Sequence, residues 1–190
     1  MELKAEQFKL FLPLPVTVIT TADSKGVHNG APYSCVMPVL RPLNLVAIAS
    51  ALPRDTLRNI RETGEFVVNV MGRPAFREAM ACAKDYPPEV NEMEEVGLAT
   101  VPSRKVSVPR IRDALGWIEA VLEREVSGEN YSVVIGRVVG SEINDRYWKD
   151  GKLAEDPLVM LFPHFRALGE KVAKRDEFHG CSAHWPSEPS

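Results

Sequence analysis

Short runs of apolar and β-branched residues, set apart by turn signals, place the narrowest limit on how this chain can fold. Pro15-Val-Thr-Val-Ile-Thr-Thr21 reads as a first strand, and Asp23-Ser-Lys-Gly26 as a hairpin turn. Val27–Met37 is expected to return beside it as one strand. Pro32 has no N–H to give a ladder, so that strand must be an edge, bulged or bent. Leu43–Ser50, Glu65–Met71, Tyr131–Val139 and Pro157–Phe162 continue the pattern. Two short helices interrupt it: Asp55–Arg61, ended at Thr63-Gly64, and Ala75–Ala83, opened by Pro74. Periodicity alone favours helix slightly for Ala114–Val126. A hairpin through Ser127-Gly-Glu-Asn130 into the next strand favours strand, which is the reading adopted. Helices do not alternate with strands, which argues against a doubly wound sheet. Six to seven strands with short flanking helices point to a mostly β, closed or nearly closed antiparallel barrel.

The 190 residues fit one domain over 1–170, with an acidic, turn-rich excursion at about 84–109 and a tail at 171–190. A net charge of −3 and the lack of any Lys or Arg cluster argue against nucleic acid as a partner. No apolar run is long enough to span a bilayer, and Met1-Glu-Leu-Lys-Ala-Glu-Gln7 has no signal-peptide core, so a cytoplasmic protein is expected. The three cysteines, Cys35, Cys82 and Cys181, are too few and odd in number for a disulfide framework. Cys82, in Ala79-Met-Ala-Cys-Ala83, reads as a small buried hydrophobe. His179-Gly-Cys181-Ser-Ala-His184 offers three metal-ligating side chains, but a fourth ligand is wanted, only His28 or His164 remains to supply an imidazole, and no metal centre is expected.

Chemistry concentrates in two segments. Ser50-Ala-Leu-Pro-Arg54-Asp55-Thr56-Leu-Arg-Asn59-Ile60 follows an apolar strand and opens a helix, so Ser50, Arg54 and Thr56 are grouped at a strand-to-helix turn. Free N–H groups and the helix dipole attract an anion there, and two hydroxyls and a guanidinium add the donors a phosphate needs. An ordinary helix start with Asp55 favouring its positive end fits the same residues. The second segment is Asn29-Gly-Ala-Pro32-Tyr33-Ser34-Cys35, where small residues and a proline in an edge strand let a flat ligand approach the backbone. A hairpin strand whose Pro32 only guards an edge is the plainer reading.

Taken together with Pro15-Val-Thr-Val-Ile-Thr-Thr21, Gly64-Glu-Phe-Val-Val-Asn69 and Ile135-Gly-Arg-Val138, these segments resemble the flavin reductase-like domain family over about residues 10–165. That family comprises FMN-binding split barrels, among them flavoredoxin-type proteins and the reductase components of two-component monooxygenases. The resemblance implies a six-stranded antiparallel Greek-key split barrel that forms a homodimer and holds FMN near the subunit interface. It implies that Asn29, Pro32 and the backbone of Tyr33, Ser34, Cys35 and Val36 lie along the isoalloxazine. Ser50, Arg54 and Thr56 would hold the phosphate, Asp55 would support that turn, and Asn59 would assist. Arg77 or Lys84 would supply further positive charge. The implied activity is hydride transfer from NAD(P)H to flavin and onward delivery to a flavin or protein acceptor, with no acid–base residue of the protein's own. Cys35 lies where it could touch the flavin, though no neighbouring base is evident. One departure stands out: many reductase components carry Gly-Asp-His, its histidine associated with nicotinamide binding, where this chain has Gly128-Glu-Asn130. Asn130 can hydrogen-bond but cannot carry a positive charge. That leaves a second reading open, an FMN-binding electron carrier with little direct NAD(P)H reactivity. A third, a split barrel adapted to haem, has only His28 and His164 as axial candidates outside the tail.

Overall fold

The computed structural model describes residues 2–40, 42–170 and 172. At its centre is a seven-stranded antiparallel sheet. Its strands are β1 (Thr17–Ala22), β2 (His28–Tyr33), β3 (Val36–Pro38), β4 (Leu45–Ala51), β5 (Glu65–Val70), β6 (Gly116–Ser127) and β7 (Tyr131–Ile143). They lie in the order β2-β1-β5-β6-β7-β4-β3. The two outermost strands are therefore consecutive in sequence, joined by Ser34 and Cys35 alone. Laid flat, six interstrand gaps would hold the edges about 29 Å apart. Three Cα steps from Tyr33 to Val36 reach at most about 11 Å. The sheet must curl until its edges approach, and the result is a split barrel. At the seam the Ala49 N–H donates to the Cys35 carbonyl at 2.9 Å.

That arrangement corrects the expected second strand. Val27–Met37 is two strands on opposite edges, so the main sheet has seven members where six were implied. The break falls at Ser34-Cys35 and not at Pro32, which stays inside β2 opposite Val18. Because β2 has a neighbour on one side only, the missing N–H costs no ladder bond. The segment around 114–126 is strand, as its hairpin context indicated. Leu158–Leu161 joins a separate three-stranded sheet with Leu14–Pro15 and His164–Ala167. Asp150 and Gly151, both with positive φ, turn the small hairpin Trp148–Lys149/Lys152–Leu153.

Two apolar clusters fill the two faces of the central strands. Ile19, Ile48, Phe66, Val68, Ala120 and Val134 form one, and the helix α1 (Asp55–Thr63) adds Leu57 and Ile60 to it. Gly136 on β7 belongs to this face, because a Cβ there would come within 2.4 Å of the Phe66 ring. The other cluster holds Val16, Val18, Val67 and Met71. It is covered by Ala79 of the helix α2 (Phe76–Ala81), by Cys82, and by Met93, Leu98 and Val108. The acidic stretch read as an excursion thus inserts three apolar side chains into the core. Its order comes from the short helix α3 (Glu92–Glu95), whose first turn is capped by Asn91 accepting from the Met93 N–H.

α1 is tied to β6 by Arg61, which donates through Nη2 and Nε to the Glu125 carboxylate at 2.5 and 3.0 Å, while the Ser132 hydroxyl donates to the same group. These bonds, Arg61 first, hold the Glu125 carboxyl at about 2, below its ordinary 4.5. A depressed carboxyl stabilises the fold fully above its unfolded value and loses that contribution as pH falls through its folded one. Glu125→Gln is therefore expected to flatten the decline of stability between pH 4.5 and about 2. Denaturant titrations across that range check it, and an unchanged acid limb would count against the tie.

Candidate functional site

The turn from β4 into α1 passes through a cis Leu52–Pro53 bond to Arg54, which occupies the N-cap in an extended conformation. Its side chain makes no cap bond. α1 ends at Gly64, whose φ of 74° supplies the left-handed residue that closes a helix. The N–H groups of the opening turn have no acceptor within the helix. They border a cleft of about 240 Å³ between β2, this turn and residues 82–86. Asn29, Pro32, Tyr33, Arg54, Asp55 and Thr56 line it, so six of the residues singled out by sequence come together there. Lys84 lines it as well.

The polar groups of the cleft divide into engaged and free. Asn29, 7% exposed, is the hub of a buried network. Its Oδ1 accepts from the Thr56 hydroxyl at 3.0 Å and the Thr21 hydroxyl at 3.3 Å, and its Nδ2 donates to Glu92 at 2.5 Å. Asn59 Nδ2 donates to Thr21 at 3.2 Å, which puts Asn59 behind the wall of the cleft. The Ser50 hydroxyl is buried between the Tyr33 hydroxyl at 2.8 Å and the Ala51 carbonyl at 3.2 Å. Asp55 is paired with Arg58 at 2.5 Å. Of Ser50, Arg54 and Thr56, only Arg54 is exposed with its donors uncommitted. Among the described residues no ion pair engages Arg54 or Lys84. Thr56, expected to give its hydroxyl to a ligand, spends it on Asn29. Thr56→Val is accordingly expected to lower stability by about 1–2 kcal/mol, because a buried acceptor loses a donor. Urea unfolding reads this directly, and an unchanged midpoint would contradict the network.

Glu92 was not singled out by sequence. Burial pushes its carboxyl above the ordinary range, and the charge of Asp55 adds to that shift. The Cys82 thiol, also lining the cleft, is pushed up to about 12, chiefly by burial, so it is protonated at neutral pH. The signal for α3 was Asn91 ahead of Glu92, Glu94 and Glu95, an N-cap pattern hidden in a stretch that reads as an acidic loop.

Ser34, Cys35 and Val36 run on from the end of β2 across the seam. Ser34 lines a second, smaller cleft of about 160 Å³ that shares Pro32 and Tyr33 with the first. The two clefts thus run along one stretch of backbone. Cys35 is exposed at the seam, and Val36 packs against the inner cluster. Arg77 lines a different cleft, beside Arg73 and Phe165. His28 and His164 belong to different sheets. The tail residues His179, Cys181 and His184 lie outside the described residues. A roomier cleft of about 520 Å³ opens between Trp117 and Trp148, but Glu142 and Asp145 line it and no basic residue does, so it does not suit an anion. No helix among the described residues is long and apolar enough to cross a membrane.

Comparison with known proteins places this geometry. The family described as flavin reductase like domain matches residues 10–169. An uncharacterised protein of Methanothermobacter thermautotrophicus is 45% identical over 167 residues, covering 82% of this chain and 79% of its own length. Nitrilotriacetate monooxygenase component B from Bacillus cereus is 28% identical, with a TM-score of 0.80 over 91% of this chain and 95% of that one. The flavoredoxin of Desulfovibrio vulgaris (Miyazaki F), 20% identical, shares the fold with a TM-score of 0.81 over 92% of this chain and 97% of its own.

Proposed function

This chain belongs to the flavin reductase-like domain family, and on that premise we propose that it is an FMN-binding oxidoreductase that takes hydride from NADH or NADPH and delivers electrons onward. The observation that carries the proposal is the state of the charges in the 240 Å³ cleft. Asp55 is paired with Arg58 and Glu92 is engaged by Asn29 and Gly30, whereas Arg54 and Lys84, in no ion pair among the described residues, line the cleft with the N–H groups that open α1. That is the donor set of a phosphate monoester. Exposed Asp85 also lines the cleft and has no such partner among the described residues.

When bound, the flavin supplies the hydride-accepting and electron-passing chemistry. The chain's residues hold and orient it. Arg54 and Lys84 take the phosphate. Pro32 and Tyr33, shared by the two neighbouring clefts, and Ser34 of the smaller one give the elongated ligand a continuous wall. The bond between the Tyr33 and Ser50 hydroxyls keeps the Tyr33 ring in place. Exposed Met37, Leu40 and Leu43, around the turn between β3 and β4, suit burial against a second copy and support a homodimer.

The test is an absorbance spectrum of the purified protein with added FMN, followed by anaerobic titration with NADH or NADPH. Uptake of flavin and bleaching by either nucleotide is expected, and a protein that takes up no flavin would end the proposal. A second reading, an electron carrier slow with nicotinamides, is favoured by one observation. The Asn130 carbonyl accepts from the Leu52 N–H at 3.1 Å, so the residue whose backbone adjoins the turn into α1 is a neutral asparagine, not a cation. Bleaching by a reduced protein donor but not by nucleotide would select that reading.

A further inference from the structure

Glu92 faces the cleft from α3 yet carries a charge of the wrong sign for an anion site. Its contacts explain why a carboxylate is there. Oε1 accepts from Asn29 Nδ2 at 2.5 Å and Oε2 accepts from the Gly30 N–H at 3.2 Å. A glutamine offers one acceptor oxygen and an amide that would oppose the Gly30 N–H, so only a carboxylate serves both. The Asn29 carbonyl oxygen takes the Thr56 and Thr21 hydroxyls. A flipped amide would set that oxygen against Glu92 and turn donors toward donors. The Asn29 amide is thereby held in one orientation. One of its two N–H bonds goes to Glu92, and the other has no acceptor among the described residues. Glu92 itself is delivered by its neighbour: Met93 is 1% exposed and packs so closely on β2 that a Cβ at Gly30 would lie 2.6 Å from its Cγ.

We infer that Glu92 is a positioning residue for the flavin: it locks the Asn29 amide so that the second N–H is presented to the bound ligand. The inference rests on reading the cleft as the flavin site. It gives the 84–97 segment a task beyond filling the core, since the segment brings a carboxylate to a strand sixty-three positions earlier. Met93 anchors the segment independently, so truncating Glu92 leaves the docking surface in place.

FMN affinity, followed by quenching of flavin fluorescence, and the visible band of the bound flavin provide the test. Glu92→Ala is expected to weaken FMN binding by about tenfold or more and to shift the band, because the amide is free to flip. Glu92→Gln keeps one acceptor and should fall between wild type and alanine. In an Asn29→Ala background, adding Glu92→Ala should change affinity by less than about twofold, since the two act through one group. An Glu92→Ala protein with wild-type affinity and an unshifted band would overturn the inference. So would a full alanine effect persisting without Asn29. If Glu92→Ala does not fold, Glu92→Gln decides by the same two readouts, its wild-type behaviour overturning the inference. Wild-type protein that takes up no FMN would overturn the flavin reading itself, an outcome distinct from wild type and Glu92→Ala binding alike.

Discussion

Arg54→Ala is expected to weaken FMN binding by about ten- to a hundredfold, the range that follows from losing a charge-assisted hydrogen bond of about 1.5–3 kcal/mol. The fold should not register the change. Arg54 sits at the N-cap, is exposed, and makes neither a cap bond nor, among the described residues, an ion pair. Its truncation should move unfolding free energy by no more than about 0.5 kcal/mol. This separation makes the variant informative, because Thr56→Val is expected to act the other way round, on stability first. Arg54→Lys should recover only part of the affinity. A lysine restores the charge but not the planar pair of donors that meets two phosphate oxygens at once. Wild-type affinity should also decline with added salt, because the cations at the cleft are open to solvent. Fluorescence titration at two ionic strengths, beside thermal melts of the same proteins, measures all three effects. Arg54→Ala with undiminished affinity would place the phosphate elsewhere.

The barrel was legible because its signals are local. β1 and β5 are runs of β-branched and aromatic residues, and α1 is bracketed by a helix start at Asp55 and a left-handed Gly64. The exposed arginine of the cleft was legible for the same reason, since Arg54 follows from its place at a strand-to-helix turn. The division of the second strand was not. Ser34-Cys35 carries no Gly, Pro, Asn or Asp, and what breaks the strand there is closure of the whole sheet, which brings β3 to the opposite edge. The partners of the hydroxyls were not legible for a related reason. Sequence puts Ser50 and Thr56 at the mouth of a turn, but whether a hydroxyl points to a ligand or to Tyr33 and Asn29 depends on strands that meet only when the barrel curls. Glu92 was beyond reach altogether. Its partner is on β2, and an acidic, proline-rich stretch gives no sign that Met93 will be buried.

Arg110→Ala should cost about 3–5 kcal/mol, more than Thr56→Val, because it removes one partner of a buried ion pair. For a chain of this length that corresponds to a drop of about 6–20 °C in Tm. The guanidinium lies 3.5 Å from Glu119 and 2.9 Å from Glu142, donates to the Pro102 carbonyl, and stands 4.4 Å above the Trp117 ring. Glu119, its side chain 3% exposed, would keep only the N–H groups of Arg104 and Lys105. The loss therefore combines an uncompensated charge with a vacated stacking site. The two parts separate in a double variant. Adding Glu119→Gln removes the charge but not the void, so Arg110→Ala/Glu119→Gln should be more stable than Arg110→Ala alone. The cluster also bears on the cleft. It fixes the ribbon Thr100–Val101/Arg110–Ile111, and that ribbon continues from Leu98, whose N–H donates to the Met93 carbonyl at 2.7 Å. A chain that loses Arg110 should thus bind FMN more weakly near its lowered Tm but close to normally well below it, whereas Arg54→Ala should be impaired at every temperature. Equal stability of Arg110→Ala and wild type would show that Glu119 is held by the backbone alone.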